Sequence, residues 1–546
     1  MGISVLGLQP QPVCSAEPIL TPHPDSLRRP VKRVQLLFPP MVIPKYQSRQ
    51  SALFPLGLGY VASMLERAGH EVEIVDCASE GYDTIVDIGK DRVVYGLSPD
   101  QIRERIVRYR PDAIGISCLF STQEKRMLQI AAIAREVDPE IVIITGGPHV
   151  SAFYKQLAQN PNVDYCVIGE GENIIAGLLE ALNRQRETTS VDAICYRQGG
   201  RVVHQPVARW IENLDVVPFP ARHMVDMNLY FTIGEPQGIR LDGERRKRAA
   251  QMTTSRGCPF QCTYCAKNVT WGKAYRTRSA ENVLAEIEHL VETYGVEHIA
   301  FQDDNFTADM DRAAVIFDGI VERKIPITWE APNGLGVNFL SVDLLEKMKA
   351  SGCVSFTIAV ESANSARLRA VRKPNYIKMA PPIVARAKEL GIEVRGFFMI
   401  GFPGETLDEV HKTVEYARGL KLAVTNFAIV TPLPGTVFYN EVVQAGLLDE
   451  STVDFEDFTY GAGELQLAAI PNSQLRTIRK IEWMRTIFLD DDGNFRHDVR
   501  LKREDVLDEL TKAAVLFPDN AEIRGILSQA RRFYDIADLG LLRDAV

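Results

Sequence analysis

Long hydrophobic runs are missing from this sequence. Its longest apolar stretches are about eight residues, against the roughly 20 needed to cross a bilayer, so no membrane helix is expected. A surplus of positive charge is missing as well. Lys and Arg number 62 against 71 Asp and Glu, for a net charge of -9. A chain that clamps a nucleic-acid backbone usually shows a basic face or stripe, so this balance argues against a nucleic-acid partner. No basic segment followed by an apolar one opens the chain, so no secretory signal is read there and a cytoplasmic location is expected. The nine cysteines are an odd number and follow no regular scaffold, which argues against a disulfide framework. Three of them fall within eight residues, a pattern that in a reducing compartment points to metal chemistry. No repeat at a solenoid period is visible. Hydrophobic residues at 46% and charged residues at 24% exclude a largely disordered or collagen-like chain.

The 546 residues suggest about three to four units at roughly 150 residues each. Residues 1–30 carry Pro10, Pro12, Pro18, Pro22, Pro24 and Pro30 with little apolar periodicity, and read as a loose arm. From 31 to 185, short apolar runs alternate with helical patterns. The runs are Val34–Phe38, Glu71–Asp76, Ala113–Cys118, Ile141–Thr145 and Tyr165–Ile168, and the alternation predicts a doubly wound parallel sheet with helices on both faces. Residues 186–245 are mixed, with the turn-rich Gln198-Gly199-Gly200 and the basic run Arg245-Arg246-Lys247-Arg248, and read as a connector. From 246 to 440 a second series offers six strands, Gln251–Ser255, His298–Asp303, Ile327–Ala331, Ser355–Val360, Glu393–Ile400 and Asn426–Val430. That series predicts a partial (β/α)6 barrel with its site at the C-terminal ends of the strands. Residues 441–546 turn helical and polar and hold no chemical motif.

The strongest signal is Cys258-Pro-Phe-Gln-Cys262-Thr-Tyr-Cys265, directly after a strand and the segment Thr253-Thr-Ser-Arg-Gly257. Three thiolates at this spacing can converge on one metal centre from a single loop. Structural zinc usually takes a fourth Cys or His at comparable spacing, and the next candidates, His289 and His298, lie a whole helix away. A cubane cluster accepts three protein thiolates and leaves one iron open.

This motif resembles that of the radical S-adenosylmethionine (SAM) superfamily, Cys-x3-Cys-x2-Cys after the first strand of a partial barrel. The resemblance implies that Cys258, Cys262 and Cys265 ligate a 4Fe–4S cluster whose open iron chelates the amino and carboxylate groups of SAM. An electron from the cluster then cleaves SAM to methionine and a 5′-deoxyadenosyl radical. It further implies that Tyr264 packs on the adenine, that Asp303 or Asp304 accepts from the SAM ammonium, and that Glu361 and Ser362 lie near the ribose. Arg395 and the turn Gly401-Phe402-Pro403-Gly404-Glu405 follow in register, the turn serving backbone geometry.

The first sheet has loop signals of its own: Ser117-Cys118-Leu119-Phe120-Ser121-Thr122, then Thr145-Gly146-Gly147-Pro148-His149, then Gly169-Glu170-Gly171-Glu172. Small residues at the carboxyl ends of three parallel strands leave a crevice for a large ligand. These segments resemble the Rossmann-like cobalamin-binding domain found ahead of many radical SAM barrels. The resemblance implies that Ser117, Ser121, Gly146, Gly147, His149, Gly169, Glu170 and Gly171 line the cofactor's nucleotide tail. The loop from Pro39 to Leu56 contains no histidine, so the cobalt is expected to lack the usual lower axial ligand. A dinucleotide fingerprint, Gly57-Leu-Gly59-Tyr-Val-Ala62 with Asp76 after it, stands too far from the first strand to form the tight strand–turn–helix that a nicotinamide cofactor needs.

Together these features resemble the cobalamin-dependent radical SAM methyltransferases, which use one SAM to methylate cobalamin and a second to make the radical. The narrower resemblance is to members acting on phosphonates and phosphinates in antibiotic pathways. It implies a small-molecule substrate, methylated on an unactivated carbon or on a phosphinate phosphorus, and a reductase or flavodoxin-type electron donor. Arg276, Arg278 and Arg395 are candidates for holding an anionic substrate. Cobalamin-dependent cyclases or ring-rearranging enzymes share the layout without transferring methyl. A methylthiotransferase acting on tRNA would need Cys77, Cys118 and Cys166 to meet in a second cluster, and a cobalamin-sensing module would need no iron triad.

Overall fold

The structure, a computed structural model, describes residues 29–45, 52–186, 188–234, 248–458, 465–490, 492–496 and 503–534. The proline-rich arm lies outside these apart from residues 29 and 30, as do residues 245–247 of the basic run.

Five parallel strands form the heart of the first sheet, in the spatial order Glu71–Asp76, Arg33–Phe38, Ala113–Ser117, Val142–Gly146, Tyr165–Val167. Alternate side chains are buried on opposite faces. Ile114, Ile116 and Ile143 join one core with the helices Pro99–Tyr109 and Glu124–Val137. Ala113, Val142 and Ile144 join another with Leu56–Arg67 and Gly171–Asn183. Burial on both faces is why the central strands read as apolar runs, whereas in the edge strand Glu71–Asp76 apolar residues alternate with exposed or half-buried acidic ones. The chain reverses direction across the sheet between Arg33–Phe38 and Ala113–Ser117, and the crevice outside the carboxyl ends of such strands is where doubly wound sheets bind ligands.

The sheet runs on past residue 185. A hairpin, Ile194–Gln198 and Arg201–Gln205, pairs antiparallel onto Tyr165–Val167 and takes the sheet to seven strands. Its turn is the Gly199-Gly200 pair, with φ of +56° and +76°, the left-handed conformation that two-residue hairpins need. Part of the segment read as connector is therefore sheet. A second small sheet, Met41–Pro44, Arg92–Tyr95 and Ile85–Gly89, occupies chain that the apolar pattern leaves as loop.

The second series closes as expected into six parallel strands in chain order: Ala249–Met252, His298–Phe301, Thr328–Leu335, Cys353–Glu361, Glu393–Ile400 and Val424–Ile429. Near its amino-terminal end the barrel holds a polar cluster. Buried Glu330 lies 3.0 Å from Arg395 Nη1 and 3.6 Å from His298 Nε2. The helix Asn472–Phe488 covers the exposed edge strand Val424–Ile429. There Thr486 Oγ1 accepts from Thr425 N and Arg479 Nε donates to Phe427 O, which satisfies edge groups that would otherwise recruit another strand. With Arg503–Leu516 and Ala521–Phe533 this helix builds a separate small core. Among the described residues no helix is long and apolar enough to cross a membrane.

Candidate active site

Arg256 and Ser255 pair antiparallel with Arg276 and Thr277, closing the root of the loop that carries the three cysteines. Gly257 follows at φ +82°, where a Cβ would stand 2.4 Å from Ala274 O, so only glycine passes. The loop is pinned from several strand ends at once. Asn305 Nδ2 lies 3.9 Å from Cys258 Sγ, Phe260 stacks on Phe339 at 5.5 Å, Thr263 N donates to Val371 O, and Phe438 N donates to Thr263 O. Lys267, itself buried, donates to Cys258 O. The loop therefore sits at the C-terminal mouth of the barrel, where the fold places its chemistry. Cys258, Cys262 and Cys265 are free thiols, Cys262 buried and the others half-buried. Burial raises Cys262 and pushes Cys265 up to about 12.

Tyr264 turns its hydroxyl onto Glu361, donating at 3.0 Å, and Lys373 Nζ lies 3.4 Å from the same carboxylate. Glu361 ends its strand at φ +68°, a conformation that costs a non-glycine residue about 1–3 kcal/mol and persists where the surroundings impose it. Asp304 is half-buried, and burial followed by the charge of Asp303 raises it to about 6. Asp303 takes a different part from the one expected. Its carboxylate accepts from Thr254 N, from Thr254 Oγ1 at 2.7 Å and from Ser255 Oγ at 2.5 Å, so it ties the first barrel strand end to the second. Ser362 is fully buried and its Oγ accepts from Asn364 N, which makes it a turn residue. Lys373 and Lys267 were not legible as site residues, since no local pattern marks either.

In the first domain the expected residues divide between the strand-end surface and the interior. Ser117, Ser121, Gly146 and Gly147 are half-exposed at the strand ends, beside the exposed Leu119 and Phe120. His149 turns inward: Nδ1 is 3.0 Å from Ser121 Oγ, Nε2 is 2.6 Å from Glu124, and the ring packs on Phe153 and Phe455. Neither nitrogen is left for a ligand. Gly171 is half-exposed at its helix start, and a Cβ there would make ordinary contact with Val61 at 3.5 Å and Ile175 at 3.6 Å. Gly169, at φ +76°, faces the ring of Trp210. Glu170 is buried and accepts from Arg256 at 2.7 Å, Arg276 at 2.8 Å and Ile211 N at 2.8 Å. The His149 and Glu170 side chains therefore serve the fold and its domain contact, while Gly169 and Gly171 are half-exposed like Gly146 and Gly147. Asp76, the acidic residue of the dinucleotide pattern, is buried, caps Ser79 N and accepts from Tyr230 OH, so it has no carboxylate to offer a ribose.

The three arginines are likewise occupied. Arg276 bonds Glu170, Arg278 bonds Glu286, which also pairs with Arg222 at 2.7 Å, and Arg395 bonds Glu330. The two domains nonetheless present their loops to one another. The helix Lys267–Trp271, just after Cys265, packs against Pro148–Leu157, which begins after Gly147.

Residues 252–417 match the radical SAM superfamily and residues 47–179 match the B12 binding domain. A cytidylyl-2-hydroxyethylphosphonate methyltransferase of Streptomyces wedmorensis is 33% identical over 426 residues, spanning 72% of this chain and 79% of that protein. The chain belongs to the cobalamin-dependent radical SAM methyltransferases. It is also similar, at 29% over 70% of its length and 66% of the relative's, to an anaerobic magnesium-protoporphyrin IX monomethyl ester cyclase of Rubrivivax gelatinosus. The structure of the radical S-adenosylmethionine methyltransferase TsrM from Kitasatospora setae, with cobalamin and a 4Fe–4S cluster bound, shares the fold at a TM-score of 0.62 and 18% identity. The match covers 93% of this chain and 100% of that one.

As a member of that family the methyltransferase takes a 4Fe–4S cluster, SAM and cobalamin, and its own residues fit them. Cys258, Cys262 and Cys265 stand together on one loop at the barrel mouth, and thiolates are the ligands that an iron–sulfur cluster takes. Among the described residues no three Cys, His, Asp or Glu side chains converge on a single-ion site. A cubane spreads its ligands over different irons, so its cysteines stand further apart than those of one ion. Cys77, Cys118 and Cys166 are buried in the apolar core, and burial raises all three thiols, as packing cysteines behave.

Proposed function

We propose that this methyltransferase acts on a small phosphonate or phosphinate intermediate in natural-product biosynthesis, methylating an unactivated carbon or a phosphinate phosphorus. The similarity to the Streptomyces wedmorensis enzyme supports that substrate class. The observation that carries the methyltransferase reading is a three-thiol loop at the barrel mouth whose following helix, Lys267–Trp271, packs on Pro148–Leu157 at the strand ends of the first domain. When bound, the cluster supplies the electron that cleaves SAM, and cobalamin carries the methyl group. Cys258, Cys262 and Cys265 would hold the cluster. Tyr264 offers a ring beside the loop, with its hydroxyl fixed by Glu361, and Asp304 and Glu361 would accept from a bound SAM. Ser117, Ser121, Gly146 and Gly147 line the cobalamin tail. A reductase or flavodoxin-type donor delivers electrons in the cytoplasm.

The test is anaerobic turnover with candidate phosphonates under strong reductant. Each methylated product should appear with one S-adenosylhomocysteine and one 5′-deoxyadenosine, because SAM is used once as methyl donor and once as radical source. The cyclase relative favours a second reading, rearrangement without methyl transfer, and this would give 5′-deoxyadenosine with no matching S-adenosylhomocysteine.

A further inference from the structure

The structure holds two buried Arg–Glu–Arg triads. Glu286 is held by Arg222 and Arg278. Glu170 is held by Arg256 and Arg276, and Arg256 also reaches Glu172. The second triad differs in position. Glu170 and Glu172 follow the fifth strand of the first domain, and Arg256 stands two residues before Cys258 with only Gly257 between. Arg256 is further enclosed by the rings of Tyr60 at 5.5 Å and Trp271 at 4.9 Å. Trp271 ends the helix that follows Cys265. Arg276, its pairing partner at the loop root, lies over Trp210 at 5.6 Å. Trp210 enters this layer only because Gly169 and Gly272 carry no side chain: a Cβ would come within 2.9 Å of the ring at the first and 2.8 Å at the second. One guanidinium thus ties both ends of the cysteine loop to the domain that holds the other cofactor.

We propose that Glu170, Glu172 and Arg256 are positioning residues that hold the SAM-binding loop in register with the cobalamin domain. The inference rests on the methyltransferase reading above. In the methyl-loading step the methyl group leaves the SAM sulfonium as a cation equivalent, the sulfur keeping the bond pair, and the electron pair of cobalt(I) forms the new bond. That step needs both domains in fixed relation, and a misplacement of about 1 Å can cost about 100-fold in rate. Reductive cleavage of SAM needs the barrel alone. A guanidinium suits such a joint because its planar fork reaches two carboxylates at once, Nη1 donating to Glu170 and Nη2 to Glu172, and so fixes direction as well as distance.

The experiment compares the two uses of SAM in Glu170→Gln, reconstituted with iron, sulfide and hydroxocobalamin and reduced with titanium(III) citrate, with SAM as the only other reactant. S-adenosylhomocysteine formation should fall by about 100-fold, while 5′-deoxyadenosine formation, iron content, cobalamin binding by absorbance and the cluster's paramagnetic resonance with SAM stay as in the unaltered enzyme. Arg256→Lys keeps the charge and loses the fork, so it should show the same split in smaller degree, and it carries the test if Glu170→Gln does not fold. Parallel loss of both products, or loss of neither, overturns the proposal. Loss of cobalamin binding in Glu170→Gln also overturns it, by showing that Glu170 touches that cofactor. Failure of the unaltered enzyme to make any S-adenosylhomocysteine would refute the methyltransferase reading instead.

Discussion

Adjacent glycines at the first domain's strand end carry different constraints. Gly147 has φ +104° and ψ 177°, a region essentially closed to other residues, and a Cβ there would stand 2.7 Å from Cys118 O. Gly147→Ala should therefore destabilise the domain by about 1–3 kcal/mol or more, whatever is bound. Gly146 has ordinary backbone, and its Cβ would meet nothing closer than Val167 at 3.8 Å. Gly146→Ala should leave the melting temperature of the apoprotein unchanged. If the crevice holds the cobalamin tail, an absorbance titration of that variant should show binding about tenfold weaker, or about 1.4 kcal/mol. Equal affinity would remove Gly146 from the cofactor site. His149 gives the complementary lesson, since a histidine in a plausible position is spent on Ser121 and Glu124.

Among the elements, the barrel strands carry an internal ion cluster with a definite pH signature. Burial alone would raise Glu330, but His298 and Arg395 outweigh it and hold its carboxyl at about 2, against an ordinary 4.5. A carboxyl lowered on folding adds stability at pH values above its unfolded range. That stability is lost as pH falls from about 4.5 towards about 2. Glu330→Ala leaves the buried Arg395 without its partner and should cost about 3–5 kcal/mol at neutral pH. In denaturant titrations followed by tryptophan fluorescence, the gap between the variant and the unaltered chain should narrow through that acid window. A gap that stayed constant with pH would refute the ion-pair account.

At the scale of the whole molecule, the chain leaves the barrel and returns to the first domain. Buried Arg92, on the small antiparallel sheet, lies 2.8 Å from Asp457 and 3.6 Å from Asp454, and Lys125 and Arg126 reach Asp454 and Glu456. Phe455 packs between these pairs on His149 and Phe153. Arg92→Ala removes a buried charge from this latch and leaves Glu456, itself buried, with fewer partners. The segment around residues 449–458 should then open locally before the rest unfolds. Limited proteolysis should cut there in the variant under conditions that leave the unaltered chain whole. An unchanged digestion pattern would show that the latch does not hold the segment.

Much of this architecture is written locally. The central strands of the first sheet are buried on both faces and so largely apolar along their length, and the other parallel strands there and in the barrel still carry enough apolar residues between turns to be legible as short runs. The cysteine loop is legible for a similar reason, because a cluster held from one loop constrains residues a few positions apart. The hairpin at 194–205 has only its Gly-Gly turn to announce it, and the sheet of Met41–Pro44, Ile85–Gly89 and Arg92–Tyr95 has strands of four or five residues, too short to show a period. By itself, then, the sequence determined the two-domain α/β plan, the three thiols and the family. Only the tertiary structure decided the tasks of the polar residues around them. Asp303 and Glu170 look like ligand acceptors in the chain, yet their partners lie 49 and 86 residues away. A buried carboxylate takes whichever donors the fold brings within hydrogen-bond reach, and sequence spacing carries no record of that encounter.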